Sequence, residues 1–446
     1  MIGAGISGLT CAYALKKSGQ NVLLLEASPR PGGVIQSVEE NGYLFELGPQ
    51  SFSATSELAE LCKELLLIEQ VLEAPHGAPR YILIDRKLVK VPLSPALLTS
   101  GLLSWGTKLT FLRDILGKTS PPETDESIAA FVRRKFSAQF LDRLVGPFVS
   151  GIYAGDPEQL SLRAAFPKLY EAEKAAASVI RGGLKLAAKA GETVTRPRTR
   201  QRLLSFRGGN ETLVGALAAA LGPALRCNVE VGEVRNAGNK FQIATQSAAG
   251  SEEMTCDRVV LATPTDASAQ ILRGMVPAAS AALENILYAP VAVVSLAYKR
   301  QQVARSLSGF GFLAPRSSEL RTLGSVWNSS LFPARAPEGH VLLTNFVGGA
   351  TDPSATALSE EELAALVHRE IAPILKITGV PEKVRTTRYR HAIPQYNLGH
   401  LERLQEIQDS IARVPGLRLI GNYWKGPAIG TCVEQALAVA EEIRIS

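Results

Sequence analysis

Three glycines near the start of the chain have the spacing of a dinucleotide-binding turn. Gly3, Gly5 and Gly8 fall in the run Gly3-Ala4-Gly5-Ile6-Ser7-Gly8. The first allows a tight turn, the second lets the backbone approach a pyrophosphate, and the third lets the following helix pack closely against a sheet. The unpaired N–H groups and the positive end of that helix then face the phosphates. This spacing predicts a pyrophosphate site where the helix begins.

A carboxylate follows at the distance that such a site requires. Glu26 comes 18 residues after Gly8 and ends the run Asn21-Val22-Leu23-Leu24-Leu25, which is typical of a buried parallel strand. A carboxylate at this position accepts hydrogen bonds from ribose hydroxyls, and its negative charge disfavours a 2′-phosphate. The sequence therefore predicts a dinucleotide other than NADP.

A second glycine pair strengthens this interpretation. Arg30-Pro31-Gly32-Gly33 permits another close approach of the backbone and supplies a positive charge. The three features together resemble the FAD-binding region of amine-oxidase-like flavoproteins more than that of an NAD dehydrogenase. A glycine-rich turn in an unrelated α/β protein is the alternative.

The strand that normally precedes the first glycine is short here. Only Met1 and Ile2 come before Gly3. We therefore expect the central parallel strand of the nucleotide-binding sheet to be missing and FAD binding to be weakened.

Length and composition fit a multidomain globular protein. The chain has 446 residues, of which 46% are apolar and 20% charged, so two or three domains are expected. The longest apolar run, Leu213 to Leu225, is interrupted by Gly222 and Pro223 and is too short to span a bilayer. Without a recognisable signal peptide, a cytoplasmic location is expected. No metal cage or disulfide framework is predicted, because the five cysteines are scattered and form no CxxC pair: Cys11, Cys62, Cys227, Cys256 and Cys432.

Positive charge is concentrated between Arg181 and Arg207. This stretch has eight basic residues and one acid, Glu192, so its net charge of +7 exceeds the +6 of the whole chain. Nucleic acid is not expected as a partner, because aromatic residues are nearly absent there and no binding motif appears. An anionic membrane surface, an acidic substrate or a solvated loop each fits the charge. The basic residues are Arg181, Lys185, Lys189, Arg196, Arg198, Arg200, Arg202 and Arg207.

The elements that position these residues alternate between sheet and helix patterns. Hairpins are predicted at Asn41-Gly42 and Asp85-Arg86, and a helix capped by Ser56 is predicted to extend to Leu67. Residues 94–186 are mostly helical in periodicity, and 161–173 are expected to form one helix. The sheet pattern returns at 229–234, 241–245 and 257–262, which makes the nucleotide-binding domain discontinuous. Antiparallel strands are predicted at 291–298, 309–313, 323–328 and 340–347, then helices at 359–375, with a capping box, and at 431–443.

An apolar series occupies the beginning of the helical region. Core packing explains most such series, and a surface facing a membrane or a product channel is the alternative. Its members are Leu97, Leu98, Leu102, Leu103, Trp105, Leu109, Phe111 and Leu112.

Several segments resemble one family of flavoproteins, the oxygen-dependent protoporphyrinogen oxidases. The most specific is Phe148-Val149-Ser150-Gly151-Ile152-Tyr153-Ala154-Gly155-Asp156. Near the end, Gly421-Asn422-Tyr423 and Cys432-Val433-Glu434 are similar to that family's flavin-contacting turn and helix. The resemblance extends over nearly the whole chain, and its other segments are 48–52, 160–167, 321–324, 332–339 and 391–400, the last without an assignable role.

The resemblance implies an α/β flavoprotein with three domains. They are an FAD-binding Rossmann-like domain (1–75, 203–285 and 395–446), a substrate-binding domain on a mixed or antiparallel sheet (76–92 and 286–394), and a helical, membrane-associating domain (93–202). It also implies oxidation of protoporphyrinogen IX to protoporphyrin IX in haem biosynthesis, with molecular oxygen as acceptor and three hydrogen peroxide molecules formed as six electrons leave. Contact with the inner face of the membrane and with the next haem-pathway enzyme is implied as well.

The same resemblance implies roles for individual residues. Arg80 is expected to pair with a substrate propionate, a geometry that a guanidinium suits, and Gly151 and Gly155 to let the backbone lie against the reacting rings. Independently of the resemblance, Phe310, Phe312 and Trp327 alternate inward on the predicted substrate sheet and are candidates to sandwich the tetrapyrrole, with core packing as the alternative. Lys425 lies beside the C-terminal turn and is a candidate to contact the flavin or a propionate. The predicted cofactor-binding residues are Gly3, Gly5, Ile6, Ser7, Gly8, Glu26, Ala27, Arg30, Gly32, Gly33, Gly48, Pro49, Val231, Thr263, Gly421, Asn422, Tyr423, Gly426 and Ile429.

Three alternatives stay open from sequence. Coproporphyrinogen III, with four propionates instead of two, is an alternative substrate for the same chemistry. An amine oxidase or a carotenoid-type desaturase is an alternative enzyme on the same fold. A non-catalytic binding protein that keeps the flavin fold is the alternative outside enzymes. The sparse acid–base machinery favours hydride transfer to a flavin, because that chemistry needs positioning more than side-chain acids and bases.

Overall fold

The computed structural model describes residues 1–92, 97, 99–117, 119–189 and 202–445. The helices are α1 Ile6–Lys17, α2 Ser56–Glu64, α3 Trp105–Leu116, α4 Ile128–Lys135, α5 Ala138–Phe140, α6 Gly146–Tyr153, α7 Leu162–Ala165, α8 Pro167–Ala176, α9 Val179–Lys189, α10 Glu211–Leu221, α11 Thr265–Leu272, α12 Pro277–Glu284, α13 Asn328–Leu331, α14 Glu360–Leu375, α15 His400–Ala412 and α16 Ile429–Ile445. The strands are β1 Leu24–Leu25, β2 Ser37–Glu40, β3 Tyr43–Glu46, β4 Phe52–Ser53, β5 Val71–Glu73, β6 Arg80–Ile84, β7 Lys87–Lys90, β8 Leu203–Phe206, β9 Leu225–Arg226, β10 Glu230–Ala237, β11 Lys240–Ser247, β12 Gly250–Cys256, β13 Val259–Leu261, β14 Tyr288–Lys299, β15 Gly311–Leu313, β16 Thr322–Val326, β17 His340–Gly348, β18 Lys383–Pro394 and β19 Leu417–Leu419.

A parallel sheet, here called the nucleotide sheet, takes its strands from distant parts of the chain. β1 pairs with β9 and β13 pairs with β19, both in parallel. Ile2 joins the two pairs, because it bridges Leu25 on one side and Leu261 on the other. Its N–H donates to the Val260 carbonyl at 2.9 Å, and the N–H of Gly3 donates to the Leu25 carbonyl at 2.8 Å.

No strand precedes α1 in the described residues 1–5, as expected, but an isolated bridge at Ile2 supplies the pairing next to the glycine turn. Met1 and Ile2 occupy the central position and make its hydrogen bonds to both neighbours, including one of 3.0 Å from the N–H of Leu25 to the Met1 carbonyl. Ile2 is 4% exposed and packs in the core beside Leu25 and Leu261.

A second sheet has seven strands in the order β18-β14-β17-β16-β15-β6-β7. Neighbouring strands within this sheet run antiparallel, with one exception. β15 runs parallel to β6, with Gly311 opposite Arg80 and Leu313 opposite Ile82. Helix α14 covers one face of this sheet through a core that includes Leu363, Val367 and Ile371. The expected antiparallel strands are thus present, and the hairpin β6–β7 extends the sheet from a distant part of the chain.

The helical region between β7 and β8 contains α3 to α9. A π-helical turn, Leu141–Val145, connects α5 to α6. Buried charges tie these helices together: the Lys135 Nζ lies 2.8 Å from Glu173 and 3.5 Å from Asp114, and all three side chains are almost fully buried. No helix in the ranges that the structure describes is long and apolar enough to cross a membrane. Leu98 and the basic residues Arg196, Arg198 and Arg200 lie outside the described residues.

Local signals for hairpins and caps agree closely with the structure. Asn41, Gly42, Asp85 and Arg86 all have the positive φ values of two-residue hairpin turns. Ser359 and Glu362 form the expected capping box of α14.

Four predicted elements need correction. Thr55 caps α2 instead of Ser56, and α2 ends at Glu64. Residues 161–173 form two helices, because Pro167 begins α8. α16 begins at Ile429, and β12 adds a third, polar strand to the antiparallel group β10-β11-β12.

Candidate functional site

A cavity of about 400 Å³ lies at the carboxyl ends of the strands of the nucleotide sheet, where open α/β sheets bind their ligands. It extends from the glycine turn to the ends of β14 and β18. Most of the predicted cofactor residues line it: Gly3, Gly5, Ile6, Ser7, Glu26, Ala27, Gly32, Gly33, Pro49, Val231, Thr263, Gly421, Asn422 and Ile429.

The beginning of α1 offers free donors to this cavity. Gly5 precedes the helix, and no side chain caps the first N–H groups of α1. A Cβ on Gly5 would meet no atom within 4 Å, so the backbone there is open to a ligand, and a Cβ on Gly33 would lie 3.6 Å from the Gly5 Cα. Gly8 serves packing, since a Cβ there would lie 1.9 Å from the Gly3 carbonyl oxygen. Two glycine-rich backbones and an uncapped helix therefore face one another as a pyrophosphate site requires.

Glu26 is held in place at the end of β1. Its Oε2 accepts from the N–H of Ala4 at 2.7 Å, and its Oε1 accepts from the N–H of Ser28 at 2.9 Å and from the Ser28 hydroxyl. A carboxylate has further acceptor positions, and Glu26 borders the cavity beside Val231. The arrangement can accept ribose hydroxyls as predicted.

Five predicted cofactor residues do not line the cavity: Gly8, Arg30, Gly48, Tyr423 and Gly426. The Arg30 guanidinium donates to the carbonyls of Pro31, Gly33 and Ile35 at 2.7–3.2 Å. Arg30 thus shapes the Gly32-Gly33 turn through three of its five N–H groups, and its contact with a phosphate stays a prediction. Tyr423 is fully buried in the core beneath its turn.

The segment 391–400, which had no role in the sequence analysis, supports the turn at Gly421. The hydroxyl of Tyr396 donates to the Asn422 carbonyl, and the His400 Nε2 lies 2.8 Å from the Tyr423 carbonyl. The rings of Tyr396 and His400 stack with centroids 4.3 Å apart. Burial lowers the pKa of His400 to about 4, so the ring is neutral near pH 7. His391 itself lines the cavity and pairs with Asp266 at 2.8 Å.

The seven-stranded sheet meets this cavity at Tyr288, His391 and Ala392, and one of its faces turns towards α6. The cross-strand register places Ile82, Leu313, Gly324 and Phe346 in one row on that face. A Cβ on Gly151 of α6 would lie 2.8 Å from the Leu313 side chain. Phe346 packs with Ala154, Leu323 and Ala392, and Ala392 also lines the cofactor cavity.

Arg80 lies on this same face, in the row next to Leu313. Its guanidinium lies over the Phe310 ring at 5.3 Å, and no hydrogen bond or ion pair from it is present in the part of the chain that the structure describes. Burial lowers the pKa of Arg80. The side chain is nevertheless accessible to solvent, and an accessible guanidinium without a counterion among the described residues is suited to bind a carboxylate.

The expected aromatic sandwich is wrong for two of its three members. Phe312 and Trp327 are 2% and 0% exposed and pack in the core between the sheet and α14. Because neighbouring residues of a strand alternate between faces, Leu313 and not Phe312 faces α6. Gly155 is also a packing position, since a Cβ there would lie 2.6 Å from Leu160 and 2.7 Å from Gln395.

The aliphatic and aromatic residues of the correct face escaped the sequence analysis. Leu313 follows the predicted Phe312 on β15. Phe346 pairs with Gly324, which pairs with Leu313. The available signal was strand alternation counted from Arg80. It could not be used without the parallel register of β6 and β15.

Comparison with known proteins defines the class. The family model for flavin-containing amine oxidoreductases matches residues 6–444, so the chain belongs to that family. The predicted fold class is confirmed, and FAD is the cofactor of this protein. The site fits FAD because it offers free donors at α1, open backbone at Gly5 and the carboxylate of Glu26.

Individual relatives and one solved structure show what the chain is similar to within this family. A chloroplastic protoporphyrinogen oxidase from Nicotiana tabacum is 34% identical over 463 residues, 99% of this chain and 84% of that protein. A coproporphyrinogen III oxidase from Bacillus subtilis (strain 168) is 29% identical over 459 residues, 99% of this chain and 97% of that protein. A crystal structure from Exiguobacterium sp. 255-15, named "Putative protoporphyrinogen oxidase", has a TM-score of 0.84 at 26% identity and covers 100% and 98% of the two chains. The resemblance indicated by the motifs is confirmed.

Proposed function

We propose that this protein oxidises protoporphyrinogen IX to protoporphyrin IX, with three molecules of oxygen reduced to three of hydrogen peroxide. The observation that carries the proposal is the Arg80 guanidinium, which has no hydrogen-bond or ion-pair partner among the described residues and lies on the sheet face that carries Leu313 and Phe346. A porphyrinogen combines an apolar macrocycle with carboxylates at its edge. The relatives named protoporphyrinogen oxidase at 34–35% identity support the same substrate.

The residues of the chain have separate tasks in this reaction. Arg80 binds a propionate and fixes the orientation of the ring, while the partly exposed Leu313 and Phe346 contact the macrocycle and exclude water. FAD, when bound, accepts hydride from the substrate carbon. The wall built by the described residues holds few titratable groups, which suits a reaction that depends on positioning.

Coproporphyrinogen III is the second candidate substrate. Relatives from Bacillus subtilis and Staphylococcus aureus carry the name coproporphyrinogen III oxidase at 29–30% identity. The chemistry at the flavin is the same, and the two substrates differ in the number of carboxylates, four against two. The second candidate therefore requires cationic partners in addition to Arg80.

The experiment is porphyrin fluorescence during aerobic incubation of FAD-loaded protein with the two porphyrinogens in parallel. A faster rise with protoporphyrinogen IX supports the main proposal, and a faster rise with coproporphyrinogen III supports the alternative. A heat-treated sample gives the rate of spontaneous oxidation. If neither substrate exceeds that rate while the protein retains bound FAD, the proposal is wrong.

We also propose a peripheral contact between α3 and the inner face of the membrane. Trp105, Leu109, Leu112 and Leu116 follow one another at helical spacing and are 79%, 62%, 51% and 71% exposed. The Lys108 ammonium lies over the Trp105 ring at 4.8 Å. An apolar stripe with a cation beside it is typical of a helix that lies in the plane of a membrane surface. A cytoplasmic location and contact with the next haem-pathway enzyme stay predictions.

A further inference from the structure

Arg335 is a buried charged residue. Neither the cofactor site nor the proposed reaction explains why it is there. It belongs to the segment 332–339, between α13 and β17, and is 1% exposed. Its guanidinium lies over the Phe332 ring at 5.4 Å. Burying a guanidinium is costly unless its donors are satisfied.

The Arg335 guanidinium donates to the backbone carbonyls of Phe206 at 3.1 Å and Arg207 at 3.4 Å. Its bond to Ser205 begins a chain of hydrogen bonds that ends at the cofactor cavity. The Arg335 Nη2 donates to the Ser205 Oγ at 2.6 Å, the Ser205 hydroxyl donates to the Asn210 Oδ1 at 2.9 Å, and the Asn210 Nδ2 donates to the Pro49 carbonyl at 2.7 Å. Pro49 lines the cavity. Three bonds thus connect a residue next to the seven-stranded sheet with the wall of the flavin site.

The direction of this chain follows from the arginine. A guanidinium can only donate, so the Ser205 oxygen accepts and its single hydrogen points onward to Asn210. That bond in turn fixes which end of the Asn210 amide faces Pro49. With a residue at position 335 that did not donate, the Ser205 hydroxyl could turn and the Asn210 amide could reverse.

The charge of Arg335 is balanced at the same place. The Glu46 carboxylate lies 3.5 Å from the guanidinium and is also 1% exposed. It accepts from the N–H of Asn210 at 2.8 Å and from the Ser37 hydroxyl at 2.7 Å. Glu46 therefore fixes the backbone of Asn210, and the Asn210 side chain in turn binds the Pro49 carbonyl.

A second set of hydrogen bonds, from the side of the seven-stranded sheet, fixes the loop that contains Pro49. The Asn328 Nδ2 donates to the Gln50 Oε1 and to the Thr344 Oγ1, both at 2.7 Å. The Gln50 Nε2 donates to the Gly48 carbonyl at 2.8 Å and to the Glu46 carbonyl at 3.0 Å. The loop Gly48-Pro49-Gln50 is thus fixed by groups from both sides of the molecule.

We infer that Arg335 is a positioning residue for the cofactor, which acts through Ser205 and Asn210 on Pro49. It touches neither cofactor nor substrate, and it couples the segment beside the seven-stranded sheet to the flavin cavity. The inference rests on the cofactor site that the proposed function uses, but not on the identity of the substrate.

The test uses two serines in matched surroundings. Ser205 and Ser178 are both 0% exposed, and each donates one hydrogen bond of 2.9 Å to a side-chain oxygen, but Ser178 bonds to Asp114 in the helical region. S205A and S178A are compared by FAD titration, by the visible absorption of bound flavin and by thermal unfolding, without porphyrinogen. We expect similar losses of stability, with FAD binding weakened about fivefold and the flavin spectrum altered in S205A alone.

Further variants decide between positioning and general stability. N210A is expected to reproduce the S205A effect on FAD, and the double variant S205A/N210A to add little to it, because both break one chain. R335K keeps the charge but not the fork of donors, and should weaken FAD binding as S205A does. Unchanged FAD affinity and spectrum in S205A and N210A, or an equal change in S178A, would overturn the inference. Failure of porphyrinogen oxidation in the unaltered protein would leave these measurements untouched.

Discussion

The His400 Nε2 lies 2.8 Å from the carbonyl oxygen of Tyr423, while its Nδ1 has no hydrogen-bond partner among the described residues. A carbonyl can only accept, so the Nε2 carries the hydrogen and the ring is the neutral tautomer. A buried neutral imidazole therefore supports the turn that lines the cofactor cavity.

This neutral ring predicts a pH dependence of stability. The folded-state pKa of about 4 lies below the ordinary value of 6.5, so between these values the unfolded chain binds a proton that the folded protein does not. The contribution is complete above pH 6.5 and is lost as the pH falls towards 4, by about 3 kcal/mol. The free energy of unfolding in urea, measured from pH 4.5 to 7.5, should fall less steeply with acid in His400→Gln. Equal slopes in both proteins would contradict the prediction, because other groups contribute equally to each.

Glu26 is predicted to contribute to FAD affinity through its charge. Glu26→Gln removes a charged acceptor facing the ribose site, so we expect FAD to bind about tenfold more weakly or worse. Fluorescence titration with FAD measures the change. Glu39→Gln, an exposed position on β2, is the control; an equal affinity in the two variants would show that Glu26 does not face the cofactor.

Arg80 is predicted to determine substrate binding. Arg80→Met should raise KM for the porphyrinogen by about 10- to 100-fold, the value of one charge-assisted pair, and Arg80→Lys should recover part of this loss. Steady-state rates from porphyrin fluorescence give both constants. Arg86→Met, on the exposed turn of the same hairpin, should behave like the unaltered protein. A change confined to kcat would contradict a binding role.

Phe346 and Phe312 are predicted to differ although both belong to the seven-stranded sheet. Phe312→Ala empties a core position and should cost about 3–5 kcal/mol of stability. Phe346→Ala, on the face that turns towards α6, should raise KM with a smaller loss of stability. Unfolding midpoints and KM values measured for both variants give the comparison, and the reverse pattern would mean that the faces are assigned wrongly.

The exposed stripe of α3 is predicted to bind lipid. Trp105→Ser with Leu109→Ser should weaken binding to vesicles that contain anionic lipid about tenfold or more, because two large side chains lose apolar burial. Flotation with such vesicles provides the measurement. Leu287→Ser with Leu398→Ser, two exposed leucines elsewhere, is the matched control. Equal binding of both double variants would remove α3 as the contact.

Sequence was most informative where function depends on local backbone. The glycine turn, the carboxylate at Glu26 and the hairpin at Asp85-Arg86 are encoded in short stretches, because turn geometry and helix ends restrict the residue types that fit. These local predictions agree with the structure to within a few residues.

Sequence was least informative where distant segments meet. The alternation around Phe312 defines two faces, but only the docking of α14 decides which one is covered. Likewise, nothing near His400 indicates the carbonyl of Tyr423 as its partner. Arg30 was assigned by its charge, whereas three of its N–H groups donate to backbone carbonyls one to five residues away.

The order of strands in the nucleotide sheet also bears on biosynthesis. Ile2 comes long before its neighbour β13 in the chain, β13 is paired with β19, and the turn and helix that complete the cavity follow β19. A nascent chain still lacking residues 417–429 has the glycine turn without its opposite wall. We therefore expect FAD to bind only after these segments have emerged from the ribosome and folded against the glycine turn.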